Sequence, residues 1–406
     1  MRRCLVLVAA CSVVAACNLA PAYRQPDLPV AEHFDTAEAP TPEASHLATE
    51  IAWPAFFGDP QLRFLIAAAL EHNRDLAASV ARIEQARALY RIRQAERLPQ
   101  VNAGGGVTRT EAPLGSFDPE FADSNATVIF NQYNVQAVLT SFELDFWGRV
   151  KNLSEAARRR YLATVEAQQA FRLSLISNVA ATYYAIRAGE EGIGLAERTV
   201  KSRQYALDIA KLRLDAGVTS KVDYEQAAIL VTQAQTQLAE LHRSTGQLRN
   251  QLTILVGGPV AGPLPAGRSI EDPGQFGELD AGLPSALLTH RPDILQAEQQ
   301  LRAADADIGA ARADFFPRIA LTGSYGYASS ELSELFDRDK RSWSVGGLIS
   351  LPIFDGGQRR AQLGGFGELP LRLHCLFLRG DLLLVALPAD QCVGHFAEGD
   401  LHGSLV

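Results

Sequence analysis

The sequence predicts a mixed α and β membrane protein, in which each chain gives four strands to a shared barrel that continues into long helices. Three observations carry that prediction. A segment recurs 218 positions further along the chain, the periodicity changes from helical to two after each copy, and a long proline-free helical region separates the copies.

The first residues have the parts of an export signal, assigned to 1–16. Arg2 and Arg3 supply a positive end, Leu5 to Ala16 an apolar run, and Ala15-Ala16 a small-residue cleavage site. The tetrapeptide VAAC occurs twice, but cleavage at Cys11 would leave only about half of the apolar stretch of roughly 7–15 residues that export needs. The small-small-Cys ending resembles the lipobox of bacterial lipoproteins, in which a diacylglycerol is attached to the cysteine. That makes Cys17 the expected lipidation site and first mature residue, against an ordinary cleaved signal with an incidental cysteine. Asn18, rather than aspartate, follows it, so the expected destination is the outer membrane and its lipid.

Residues 17–58 are Pro- and Ala-rich with little periodicity and read as an extended segment. A first repeat is expected over 59–259. Asp59 is the N-cap of its opening helix and Pro60 the first helical residue. A second helix, DLAASVARIEQARALYRIRQAERLP, runs to Pro99. It aligns without a gap with RPDILQAEQQLRAADADIGAARADFFP: Asp75 falls on Asp293, Pro99 on Pro317 and Gly105 on Gly323. A common offset for an acid, a terminating proline and a following glycine indicates duplication.

Beyond each proline lies a strand pair, 101–142 in the first repeat and 318–352 in the incomplete second, 282–363. Ile319, Leu321, Gly323, Tyr325 and Tyr327 alternate with Ala320, Thr322, Ser324 and Gly326. Trp343, Val345, Gly347, Ile349 and Leu351 alternate with Ser344, Gly346, Leu348 and Ser350. The first copy repeats the pattern more weakly, and polar loops at 111–130 and 328–341 join the pairs. Strands of about ten residues with one apolar face and aromatic ends suit a transmembrane barrel wall; a two-layer soluble sheet shows the same alternation. Four strands cannot close a barrel in lipid, where edges are not tolerated. Three copies would give twelve.

A helical hairpin is expected over 152–256. Its first limb would reach roughly 90 Å if about 60 residues were continuous at 1.5 Å each, although Gly189, Gly192 and Gly194 weaken the case for one unbroken rod. Gly217 permits the reversal between the limbs and Ser220 can cap the second. Gly257-Gly258-Pro259 ends it, and 260–281 reads as a linker.

Composition excludes other classes. The chain has 38 basic and 46 acidic residues, a balance that argues against a nucleic-acid partner. Besides Cys17 only Cys375 and Cys392 survive the signal, which leaves no disulfide framework, metal spacing or cofactor site. No catalytic motif occurs, so no enzyme is expected.

In their order, CNLAPAYRQP, WPAFFGDPQL, the LP and FP helix ends, RLDAGVTSKVDYEQA, LVGGP, RPDI and LPIFDGG resemble the lipoprotein branch of the TolC-like outer-membrane efflux channels. The resemblance covers 17 to about 363. It implies a homotrimer with a twelve-stranded barrel in the outer membrane and an α-helical barrel across the periplasm. It also implies a periplasmic adaptor (membrane fusion) protein and an inner-membrane RND-type pump as partners, with passive export of toxic compounds. The turn matches the family's periplasmic tip, making Gly217, Val218, Thr219 and Ser220 the expected adaptor-docking residues, against a reading in which they only form a good hairpin.

Residues 364–406 depart from the pattern. Glycines at 364, 365 and 367 and prolines at 370 and 388 exclude a long helix where a second hairpin should begin. A frameshift near Leu363 is the expected cause, with a genuine short form as the alternative. A chain lacking that hairpin would leave apolar faces uncovered and assemble poorly, or act as a non-conducting scaffolding lipoprotein. Reading the coding DNA beyond codon 363 in all three frames tests the frameshift. A second frame with about 100 residues of helix-periodic sequence is expected; its absence from every frame would contradict it.

Overall fold

A computed structural model describes residues 18–24, 51–117, 126–259, 263–272, 274–277 and 290–366. The signal, Cys17 and the tail from residue 367 onward lie outside the described residues. In chain order the helices and strands are α1 (Trp53–Phe56), α2 (Pro60–His72), α3 (Arg74–Ala95), β1 (Val101–Pro113), β2 (Thr127–Glu143), α4 (Arg149–Asp215), α5 (Lys221–Val256), α6 (Pro292–Ala313), β3 (Arg318–Ser329) and β4 (Arg341–Ser350). Residues 358–366 are also helical, so the first three residues of the expected tail continue a helix. No helix among the described residues is long and apolar enough to cross a membrane.

The described residues fall into two compact units: one drawn from 18–24, 85–163 and 297–366, the other from 51–84 and 164–296. The first contains the whole sheet. All its pairings are antiparallel, in the order β1-β2-β3-β4, so the two copies of the duplicated strand pair meet at the β2–β3 seam. The loops are shorter than the sequence suggests: β1 runs to Pro113 and β2 starts at Thr127, while β4 ends at Ser350 and excludes Leu351.

In the same unit the C-terminal half of α6 is largely buried, through Ala303, Ala304, Ala306, Asp307, Ile308, Gly309, Ala310, Ala311 and Ala313. Its small side chains let neighbouring backbone approach closely. A Cβ on Gly309 would lie 2.6 Å from Asn152 Nδ2 and 2.7 Å from Ala20. Residues 18–24 lie along this helix: Arg312 donates to the Leu19 carbonyl at 3.2 Å, and the Arg302 guanidinium sits 4.5 Å from the Tyr23 ring centroid. Tyr23 is pushed up from the ordinary tyrosine range, first by burial and then by Glu298 beside it.

The second unit packs α2 against α4 and α5. Leu62, Leu65, Ile66 and Ala69 of α2 meet Leu175, Ile176, Val179, Ala180 and Tyr183 of α4, with Val256 at the end of α5. Its polar anchor is Asp59, which is 1% exposed. As the N-cap it accepts from the Gln61 and Leu62 amides, and it also takes the Tyr183 hydroxyl at 2.7 Å and the Arg268 amide at 3.0 Å. Burial, and then the Asp59 carboxylate, push the Tyr183 hydroxyl well above the usual tyrosine range. Asn73 joins the ends of three helices, capping α3 through the Leu76 amide and donating to the Leu255 carbonyl at 2.8 Å.

The helix α4 is unbroken through Gly189, Gly192 and Gly194. Gly189 faces Thr245 of α5 so closely that a Cβ would collide with the threonine hydroxyl. This glycine sets the approach of two helices rather than ending one. Tyr183→Phe should leave the buried Asp59 carboxylate short of a donor and cost about 2 kcal/mol, seen as an earlier thermal unfolding midpoint by circular dichroism in detergent. An unchanged midpoint would contradict this role.

Candidate functional site: the strand wall and the hairpin tip

In antiparallel ladders, directly opposed residues share a face. The observed register therefore collects the apolar series of both copies on one side of the sheet. Val101 opposes Leu139, Val135 opposes Tyr327, and Ala137 opposes Tyr325. Tyr325 in turn opposes Trp343, Gly323 opposes Val345, and Ile319 opposes Ile349. The other side collects small and polar groups. Thr108 opposes Gln132, Gly106 opposes Asn134, Gln136 opposes Gly326, and Ser324 opposes Ser344 with their hydroxyls 2.7 Å apart. A register shift between Leu139 and Phe142 brings Phe142 opposite Leu321, on the apolar side. In the single chain the apolar side is exposed at Tyr325, Trp343 and Val345.

The strand ends are fixed to the helices by a compact junction. Trp147 stacks on Phe316 with ring centroids 4.6 Å apart and donates from its indole nitrogen to the Pro317 carbonyl at 2.9 Å. Arg149, at the start of α4, binds both oxygens of Glu143 at the end of β2 and lies 3.9 Å from Asp314. Gly148, at φ 74°, makes the turn between strand and helix.

At the other end of α4 the chain reverses in five residues. Gly217 adopts φ 70°. Its amide donates to the Leu214 carbonyl and the Val218 amide to the Arg213 carbonyl, both at 2.9 Å, which is a Schellman ending. Ser220 then opens α5 with a capping box: its hydroxyl accepts the Asp223 amide, and the Asp223 carboxylate accepts the Ser220 amide. The same carboxylate also accepts the Thr219 and Ser220 hydroxyls. Those hydroxyl bonds, Thr219 first, hold the Asp223 carboxyl below the usual carboxylate range.

The structure thus brings Gly217, Val218, Thr219 and Ser220 together in one turn. Cys17, the other residue singled out from the sequence, lies outside the described residues. Asp223 holds the turn together but was not among the expected tip residues; a Ser-x-x-Asp spacing before a helix is the signal that could have found it. Apolar side chains flank the reversal: Val218 is 76% exposed, Leu212 70% and Val222 62%.

One chain thus carries a two-faced sheet and a long helical hairpin. The model of the outer membrane efflux protein family matches residues 65–258 and 283–365. The chain belongs to that family. Outer membrane protein OprJ of Pseudomonas aeruginosa is 39% identical over 348 residues, covering 86% of this chain and 71% of that protein. The toluene efflux pump outer membrane protein TtgI of Pseudomonas putida is 41% identical over 350 residues, covering 86% and 73%. Among solved structures, the open state of the Neisseria gonorrhoeae MtrE outer membrane channel superposes with a TM-score of 0.74 at 36% identity, covering 89% of this chain and 78% of that one. Like other members of the family, this outer membrane efflux protein is a channel component located in the outer membrane.

Asp223→Ala should loosen the tip, with proteinase cleavage around residues 216–220 several-fold faster than in the parent chain. Because the folded carboxyl titrates low, its bonds are intact above the ordinary carboxylate range and are lost as pH falls through the depressed pKa. The parent tip should therefore stay protected down to about pH 4 and open below it. Equal cleavage rates for parent and variant at neutral pH would contradict this role for Asp223.

Proposed function

We propose that this efflux protein works as the passive outer-membrane duct of a tripartite pump, carrying small toxic molecules outward without chemistry of its own. One observation supports this most: four strands with an apolar and a polar face, whose two outer strands β1 and β4 have no partner on their free edges within the described chain. Such edges are not tolerated in lipid. A homotrimer supplies the missing partners and makes a twelve-stranded barrel with its polar faces inward.

The tip is the proposed contact for a periplasmic adaptor. Its support is a rigid reversal that presents Val218 between two other exposed apolar residues, Leu212 and Val222, where an apolar surface otherwise faces water. The adaptor would connect the duct to an inner-membrane pump of the RND type, which supplies the energy and selects the cargo. A diacylglycerol on Cys17 is the proposed anchor. Asn18, bonded to it, begins the strap along α6.

Residues 364–406 are proposed to lie outside the family's sequence, a reading supported from residue 366 onward by the end of the family match at residue 365. The second functional reading, a scaffolding lipoprotein that binds partners without conducting, draws on the same feature. Planar-bilayer recording of the protein extracted from outer membranes separates the two. Discrete conductance steps are expected for the duct, and a bilayer that stays silent with inserted protein present would contradict it.

A further inference from the structure

The sheet-bearing unit contains a cavity of about 570 Å³ whose lining includes Asn18, Arg97, Lys151, Asn152, Glu155 and Arg158. Its charge is unbalanced. The one carboxylate, Glu155, is 3.5 Å from Arg158 and also accepts from Arg159 at 2.7 Å. Arg97 and Lys151 are exposed, and neither side chain has an ion pair or hydrogen bond among the described residues. Asn152 is 3% exposed and its Nδ2 packs toward Gly309 of α6. Two free cations and a third shared one form a lining suited to an anion with several acceptor oxygens.

Chain position limits what that anion can be. Arg97 falls between the end of α3 and the start of β1, and Lys151 is in the first turn of α4 just beyond β2. Both therefore sit where strands give way to helices; Lys151 follows Trp147, which stacks on Phe316, by four residues. In a barrel wall, this is the level of lipid headgroups, where aromatic residues concentrate.

We propose that this cavity binds the phosphate of an anionic phospholipid from the periplasmic leaflet, with Arg97 and Lys151 as its principal cationic contacts. The proposal rests on the reading of the strands as a membrane wall. Basic pockets beside membrane segments recognise anionic headgroups through this chemistry. Asn18 lines the cavity, so an acyl anchor on Cys17 would enter the same leaflet one residue away.

The test uses the full chain in vesicles of phosphatidylethanolamine, alone or mixed equally with phosphatidylglycerol. Carbonate extraction reports insertion, and native mass spectrometry counts the lipids carried after gentle detergent release. The parent should retain phosphatidylglycerol in preference to phosphatidylethanolamine. Arg97→Ala with Lys151→Ala should weaken that preference about 25-fold, from about fivefold per cation, while Lys201→Ala, on an exposed site of the other unit, should not change it. An inserted parent with no preference, or a double variant equal to the parent, would overturn the headgroup site and leave the membrane wall standing. Failure to insert would overturn both. Inorganic phosphate that empties the cavity as readily as short-chain phosphatidylglycerol would assign it to free phosphate and overturn the lipid proposal.

Discussion

The architecture depends on the hydrogen-bonding groups left free along the outer edges of β1 and β4. Within the sheet, each strand is satisfied by its antiparallel neighbours. At the edges only another chain can do the same in lipid, where each unpaired backbone group costs several kcal/mol. A duplicated strand pair doubles the width of the wall but does not close it. Oligomerisation is therefore a condition for membrane residence rather than an embellishment of it.

The other features follow from making such a wall and attaching a long helical extension to it. The strand-to-helix junction is rigid because the Trp147 stack, its bond to the Pro317 carbonyl and the Arg149–Glu143 pair act within a few residues of one another. The buried small residues of α6 allow close packing in the same unit. In the other unit, Asp59 uses one carboxylate to cap a helix and to bind both Tyr183 and the Arg268 amide. At the tip, Asp223 does comparable work in water, with no need for burial. The exposed apolar side chains along α4 and α5, such as Leu195, Tyr205, Ile229 and Ile254, are surfaces that neighbouring copies would cover in a helical barrel.

Much of this was legible because the signals are local. Asp59-Pro60, Gly217, Ser220 and Gly257 each determine the backbone within a turn, and each is found at the helix end it marks. The alternation in the second strand pair was strong enough to assign faces before the register was known. Three features were hidden for a common reason: they depend on residues distant in sequence. Gly189 looked like a helix breaker because its partner, Thr245, belongs to the returning limb. The register shift near Leu139 is defined only against β3. The basic cavity needs Arg97 and Lys151 brought together from opposite sides of a strand pair. Cys17 remains a reading of the sequence, outside the described residues.

The central claim is that copies of this chain close one another's sheet edges. Native mass spectrometry of the species that resists carbonate extraction from outer membranes tests it most directly. Even if the yield is small, the inserted species should contain three chains, with no inserted single chain. A membrane-inserted monomer would contradict the account, since its β1 and β4 edges would then have been accommodated in lipid without a partner.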